Sequence, residues 1–123
     1  MINVQYPEMR DQLLSALQAL ADPRHQRTRW GVEEPGVDYY DDLMLNVHIL
    51  YDDCKVLPDP STAVGRVIVD DEVSALRALQ QVLGPLLDEL GSSPDGTYLS
   101  HPTWPDVIAA ARTALDTMNK PDS

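Results

Sequence analysis

Apolar residues recur at helical spacing near the start of the chain. In the segment from Pro7 to Ala21, one face is formed by Leu13, Leu17 and Leu20. A stripe of this kind predicts an amphipathic helix packed on a core. Asp22 and Pro23 then end this helix and begin a shorter one, with Asp22 as its N-cap and Pro23 as its first residue.

The longest stripe of helical period lies between Asp70 and Gly91. Its acidic start suits the positive end of the helix dipole, and a glycine is a common C-terminal stop. Gly84 and Pro85 interrupt the stripe. Because proline removes a backbone donor and crowds the preceding turn, this pair predicts a kink or a break into two helices.

A last helix is predicted from about Thr103. Thr103 and Asp106 have the spacing of a capping box, with the shorter acid in place of the usual glutamate. Tyr98 and Leu99, which precede this helix, are predicted to be extended.

The central stretch from Leu43 to Tyr51 fits two periodicities. On a strand, one face is formed by Leu43, Leu45, Val47, Ile49 and Tyr51. On a helix, one face is formed by Leu43, Val47, Leu50 and Cys54. Valine and isoleucine favour a strand, the Asp52-Asp53 step favours a turn, and Lys55 to Leu57 resumes an apolar pattern. We therefore favour a β-hairpin, with Val64 to Val69 as a third short strand that helps to stabilise it.

The predicted fold class is α+β: a mostly helical single domain with a small two- or three-stranded antiparallel sheet. At 123 residues, the chain is long enough to bury about two-thirds of its unfolded surface in one core. We expect this core to span about residues 7–118 and residues 119–123 to form a frayed tail.

The charge of the chain is strongly negative, with 20 acidic and 9 basic residues and a formal net charge of −11. A field of this sign repels the phosphates of nucleic acid and anionic lipid, and it attracts basic partners. The sequence therefore predicts no nucleic-acid partner and favours a basic protein partner. A surface that only keeps the protein in solution is the alternative.

A single cysteine, Cys54, excludes an internal disulfide bond and fits a reducing compartment. The first residues have neither the cationic start nor the apolar centre of a signal peptide. No apolar run approaches the roughly 20 residues that a membrane helix needs. The sequence predicts a cytoplasmic protein that makes no membrane contact, and no motif in it requires a cofactor.

The sharpest candidate site places tyrosines among carboxylates on both sides of the central apolar run. It consists of Asp38, Tyr39, Tyr40, Asp41, Asp42, Asp52 and Asp53. Tyrosine gives a binding surface contact area with a polar handle, and carboxylates attract a basic partner. The pattern predicts a partner-binding surface, and a solvated acidic rim is the alternative.

The same aspartates, together with His48, are candidate ligands for a divalent metal ion in a small enzyme. In a hairpin, the two acidic steps lie about 30 Å apart at about 3.3 Å per residue, which is too far for one ion. In a helix, His48 and Asp52 share one face. A metal-dependent enzyme is therefore the second functional hypothesis.

Two other groups of residues could carry chemistry. Arg24, Arg27 and Arg29 form a basic cluster that either holds an anionic ligand or pairs with nearby carboxylates. Cys54 follows two aspartates, whose charge raises the pKa of a thiol. That direction disfavours a nucleophilic cysteine.

Several segments carry a resemblance to a known family. They are Trp30, the run YYDDLMLNVHILYDDCKVLPDP, the glycine of VGRV, the helix start DDEVSALRAL and the segment YLSHPTWPDV. Across about residues 7–118 the chain resembles a family of short, acidic, uncharacterised actinobacterial proteins, which implies no activity. In size, acidity and layout it is also similar to bacterial toxin-immunity proteins, by analogy alone. The favoured hypothesis is a non-enzymatic, immunity-like interaction protein.

Overall fold

The computed structural model describes residues 4–30, 43–91 and 93–119, and within these ranges the chain is helical, with no strand. The α-helices are α1 (Pro7–Ala21), α2 (Pro23–Arg29), α3 (Leu43–His48), α4 (Val73–Leu90), α5 (Asp95–Leu99) and α6 (Trp104–Met118). Three shorter turns connect them: a π-helical turn at Ile49–Asp53 and 3-10 turns at Pro60–Ala63 and Asp70–Glu72.

The predicted start and end of α1 are confirmed, and so is the junction with α2. Pro7 opens α1, and Asp22 separates the two helices. The Asp22 carboxylate accepts the backbone N–H groups of Arg24 and His25, each at 3.1 Å. These two donors have no partner within the helix, so the carboxylate fixes the position at which α2 begins.

The three long helices α1, α4 and α6 build the core, with α6 packed against both of the others. Their fully buried side chains include Leu13, Leu17, Leu20, Leu76, Leu79, Leu83, Val107, Ala111 and Ala114. Trp104 meets the rings of Trp30 and Tyr98 edge to face, at centroid distances of 5.9 and 6.4 Å. All three rings are buried and belong to the core.

Of the predicted kink or break in α4, the break is wrong, because the helix continues through Pro85 to Leu90. Pro85 and Gln81, whose carbonyl loses its helical partner, are both exposed. On the solvent side of a helix, water can take the place of a missing backbone donor. The proline is therefore tolerated without ending the helix.

The predicted β-hairpin is wrong, and with it the α+β fold class: the described residues form an all-helical domain. Leu43–His48 is an α-helix that continues into the π-helical turn. Its buried side chains are Leu43, Asn46, Leu50 and Cys54, which repeat at helical spacing. Burial of this face decides the structure, because packing outweighs the weak strand preference of valine and isoleucine.

The other two predicted strands are also absent. Val56 and Leu57 donate their backbone N–H groups to the carbonyl of Leu50, so they close the end of the π-helical turn. Between Val64 and Val69, the structure has a tight turn with one isolated bridge, from Val64 to Ile68. The buried Val67 and Ile68 therefore join the core from a loop.

Two local predictions near α6 are wrong as well. Tyr98 and Leu99 lie in α5, where Tyr98 is fully buried and its hydroxyl donates to the carbonyl of Gly91. Thr103 has helical backbone angles and makes no capping bond through its side chain. Instead, its backbone N–H donates to Nδ1 of His101 at 3.1 Å.

Candidate functional site

The structure describes only part of the predicted partner-binding site. Asp38, Tyr39, Tyr40, Asp41 and Asp42 lie outside the described residues. Asp52 and Asp53 are exposed in the π-helical turn that follows α3. These two carboxylates, here called the acidic turn, are therefore the part of the site whose position can be described.

The acidic turn is held against the first half of α1. Cys54 Sγ donates to the backbone carbonyl of Met9 at 3.2 Å. At the other end of α3, Leu45 and Asn46 lie near Ala19, which is close to the end of α1. Helix α3 and its π-helical turn therefore run antiparallel to α1.

Helix α3 is also fixed at its start by a distant residue. The backbone N–H of Leu43 donates to Asp95 Oδ2 at 3.2 Å. This N–H belongs to the first turn of α3, so it has no acceptor within the helix. Asp95 thus caps α3 from α5, across 52 positions of sequence.

A groove of about 460 Å³ lies between α1 and α3 and is called here the α1–α3 groove. Its walls include Ser15, Gln18, Asp22, His25, Leu45 and Ile49. Leu45 is 45% exposed, which is unusual for a large apolar side chain in this protein. Asn46 and Ala19 complete the lining, so the α3 wall is apolar apart from the buried Asn46 amide, and the α1 wall is polar apart from Ala19.

Exposed carboxylates continue beyond one end of the α1–α3 groove. Asp11 is exposed one helical turn before Ser15 on α1, and the two share a face. The acidic turn follows Ile49 by three and four positions. Because α1 and α3 are antiparallel, Asp11 and the acidic turn lie toward the same end of the groove.

The opposite end of the groove has mixed charge. Asp22 and His25 line it, and Asp22 already caps α2. Arg24 and Arg27, from the predicted basic cluster, are exposed on α2, and the side chain of Arg29 is outside the described residues. The groove therefore has one acidic end and one mixed end.

His48 and Asp52 form the contact that the helical alternative predicts. His48 Nδ1 lies 2.5 Å from Asp52 Oδ2, and both side chains are 65% exposed. In residues 4–30, 43–91 and 93–119, no group of three or more histidine, cysteine or acidic side chains is placed to hold a metal ion. From this part of the chain, His48 and Asp52 therefore offer a metal ion two ligands.

Cys54 is placed as a structural thiol. Its side chain is buried and bonded to Met9. Burial, and then the charge of Asp53, raises its pKa from 9.0 to about 11. A thiol with this pKa is largely protonated at neutral pH and is a poor nucleophile, as the sequence predicts.

Two buried polar networks were missed by the sequence predictions. Arg10 pairs with Glu72, and the Gln26 amide donates to the carbonyls of Ala19 and Leu20 at 2.9 and 2.8 Å. Gln26 also accepts the indole N–H of Trp104 at 2.9 Å. Both networks are satisfied and hold helices together, which is the usual role of buried polar groups.

The Arg10–Glu72 pair could have been predicted from the spacing of residues in the sequence. Arg10 precedes Leu13 and Leu17 by three and seven positions, so it lies on the buried face of α1. Glu72 precedes Leu76 and Leu79 by four and seven positions, in register with the buried face of α4. Opposite charges on two buried faces indicate a buried ion pair.

A second, smaller groove of about 300 Å³ lies between α4 and the loop before α6. It is lined by Pro85, Leu86, Glu89, His101 and Thr103, among others. His101 Nε2 lies 2.5 Å from Glu89 Oε2, while Nδ1 accepts the N–H of Thr103. Both ring nitrogens are therefore engaged in fixing the loop.

The described residues define a small, acidic, all-helical domain with a surface groove. The chain belongs to DUF7945, a domain of unknown function, whose family model matches residues 4–123. Searches of curated proteins and of solved structures gave no match. Family membership without an assigned activity is thus confirmed, whereas actinobacterial origin and toxin-immunity likeness stay predictions. None of the described helices combines the length and apolarity needed to cross a bilayer.

Proposed function

We propose that the protein is a non-enzymatic interaction protein that binds a basic partner through the surface around the acidic turn. One observation carries the proposal: exposed Asp52 and Asp53 follow directly on a helix that leaves Leu45 exposed beside a groove. An apolar side chain at the centre of a polar rim is typical of protein-binding surfaces.

The net charge of −11 supports a basic partner. Complementary charge speeds encounter and disfavours partners of the same sign. Five of the acidic residues fall in the segment 31–42, which has no basic residue. Asp38, Tyr39, Tyr40, Asp41 and Asp42 belong to that segment and remain part of the proposed surface.

In its finer form, the proposal is an immunity-like inhibitor. The partner is then a basic enzyme, such as a nuclease, whose substrate cleft the acidic surface occupies. The lone cysteine, which needs no oxidising compartment, supports a cytoplasmic site of action.

A matched pair of variants tests the proposal. Asp52→Asn with Asp53→Asn removes two charges from the acidic turn, and Asp70→Asn with Asp71→Asn removes two consecutive exposed charges elsewhere. Immobilised wild type and both variants are exposed to native lysate at low salt, and bound proteins are quantified by mass spectrometry. A basic protein that is depleted by the first pair alone supports the proposal. Equal retention by all three forms rules out this surface.

The second candidate is a small metal-dependent enzyme, supported by the 2.5 Å contact between His48 and Asp52. Thermal unfolding is measured with added divalent metals, against an EDTA control. Stabilisation that is lost in Asp52→Asn would support this function. An unchanged unfolding temperature with every metal would exclude it.

A further inference from the structure

The shape and charge pattern of the α1–α3 groove indicate which structural element of a basic partner binds there. Its apolar wall is formed by Leu45 and Ile49, one helical turn apart on α3. The wall is open, since Leu45 is 45% exposed. An exposed apolar wall in a concave surface accepts an apolar side chain.

The distance from this wall to the acidic turn is set by the helical backbone. Asp52 follows Leu45 by seven positions, and the backbone between them is helical throughout. At the α-helical rise of about 1.5 Å per residue, seven positions span at most about 10 Å, because the backbone from Ile49 onward is π-helical and rises less per residue. His48 follows Leu45 by three positions on α3 and contacts Asp52, so Leu45 and Asp52 lie toward the same side of the helix.

The exposed charges at this end of the groove are mostly negative, with three carboxylates against one cation, Lys55. Asp52 and Asp53 lie on the acidic turn, and Asp11 lies on the facing side of α1. The opposite end, at Asp22 and His25, is next to the exposed Arg24. A bound segment is therefore oriented with its basic end toward the acidic turn.

We infer that the α1–α3 groove is an anchor site for an amphipathic helix of a basic partner. The helix inserts an apolar side chain against Leu45 and Ile49 and directs lysine or arginine, about two turns away, to Asp52 and Asp53. Helices that bind in grooves use side chains at this spacing, on one face. This inference rests on the proposed function and adds the partner's binding element and its spacing.

Synthetic helical peptides test the inference without knowledge of the partner. The probe is an alanine-rich peptide with a leucine and, seven residues along, a pair of lysines. One control peptide has serine in place of the leucine, and another has glutamates in place of the lysines. Binding to the whole protein is measured by fluorescence anisotropy at low and at physiological salt.

The expected result is that the leucine–lysine peptide binds the wild type, and Leu45→Ser weakens it by about tenfold, the size expected for an anchor residue. Leu45 is exposed, so the substitution leaves the core intact. The glutamate peptide does not bind. Asp52→Asn with Asp53→Asn weakens the leucine–lysine peptide, whereas Asp70→Asn with Asp71→Asn does not.

The outcomes separate the inference from the proposed function. Equal binding of the leucine and serine peptides would overturn the anchor site while leaving a basic partner in place. No binding by any lysine peptide would overturn the inference, whereas the proposed function is overturned only if wild type and both variants retain the same proteins from lysate. Dimerisation that Leu45→Ser abolishes would assign the groove to a second copy. Binding that occurs only after residues 31–42 are replaced by a Gly-Ser linker would assign it to that segment, and either result overturns the inference.

Discussion

Arg10 and Glu72 form a buried two-point ion pair that joins α1 to the turn before α4. Arg10 donates from Nη1 to Glu72 Oε1 at 2.7 Å and from Nη2 to Oε2 at 2.5 Å. The same guanidinium reaches the carbonyls of Val67 and Met118, and Glu72 also accepts the N–H of Val69. Burial therefore leaves no side-chain nitrogen or oxygen of the pair without a hydrogen-bond partner.

We expect Glu72→Ala to destabilise the protein by about 3–5 kcal/mol, because it leaves the buried charge of Arg10 without a counter-charge. The free energy of unfolding is measured by urea denaturation. The double variant Arg10→Met with Glu72→Leu is the control, since it removes both charges and keeps apolar volume. It should lose less stability than Glu72→Ala, and a larger loss would contradict a role based on charge pairing.

The hydrogen bonds that the Asp59 carboxylate accepts should make a pH-dependent contribution to the stability of the protein. Hydrogen bonds from the Ser61 hydroxyl and N–H, at 2.7 and 3.1 Å, lower its pKa, and Arg77 lowers it further. A folded pKa below the unfolded value of about 3.9 means that the contribution is fully present above that pH. It is lost as the pH falls through the folded pKa.

We therefore expect the stability advantage of the wild type over Asp59→Asn to be larger near pH 6 than near pH 2.5. Urea denaturation of both proteins across this range measures it. Asp116→Asn, at an exposed position of α6, controls for the general effect of removing one negative charge. If the free energies of unfolding of the wild type and Asp59→Asn differ by the same amount at every pH, the role of the Ser61 hydrogen bonds is contradicted.

Cys54 should be protected from alkylation in the folded protein. Its pKa of about 11, against 9.0 for a free thiol, lowers the thiolate fraction at neutral pH about 100-fold. Iodoacetamide labelling near pH 8, followed by mass spectrometry, should be slow in buffer and fast in urea. A Leu45→Cys protein that also carries Cys54→Ala should label quickly without urea. Equal rates for the wild type in both conditions would disprove the burial of this thiol.

The same thiol makes the folded state sensitive to alkali. Its pKa is higher in the folded than in the unfolded chain, so its contribution to stability is fully present below about pH 9. That contribution is lost as the pH rises toward about 11. Cys54→Ala should therefore show a weaker loss of stability over this range, measured by urea denaturation.

Lys55 closes the π-helical turn in a left-handed conformation, with φ of 54°. A residue with a Cβ is disfavoured there by about 1 kcal/mol, whereas glycine is not. We expect Lys55→Gly to stabilise the protein by up to about 1 kcal/mol in urea denaturation, and Lys55→Val to destabilise it. Lys55→Asn separates charge from backbone, since asparagine tolerates this conformation. If Lys55→Gly and Lys55→Asn both destabilise the protein, backbone strain does not determine the contribution of this position to stability.

The long helices could be predicted because their apolar faces repeat over several turns. In α1, the spacing of Leu13, Leu17 and Leu20 admits no strand, and Pro7 and Asp22 mark its ends. The stretch from Leu43 to Tyr51 is too short for its period to decide, and it satisfies both patterns. What makes it helical is burial against α1, which is far away in the sequence.

The candidate site was predictable in part for the same reason. Exposure of Asp52 and Asp53 follows from their charge, and the His48–Asp52 contact follows from helical spacing once the helix is known. The α1–α3 groove does not follow, because it exists only where Ser15 and Gln18 on one helix face Leu45 and Ile49 on another. Local periodicity contains no information about which helices become neighbours.

The contacts of Arg10 have a consequence for the order in which the chain can fold during synthesis. They connect positions that are 57, 62 and 108 residues apart. Glu72 leaves the ribosome long before Met118, so the guanidinium keeps an incomplete set of partners until α6 is made. Because α6 also packs on α1 and α4, stable packing has to wait until α6 has been synthesised. The domain is therefore expected to fold late and in one cooperative step, with no early stable N-terminal half.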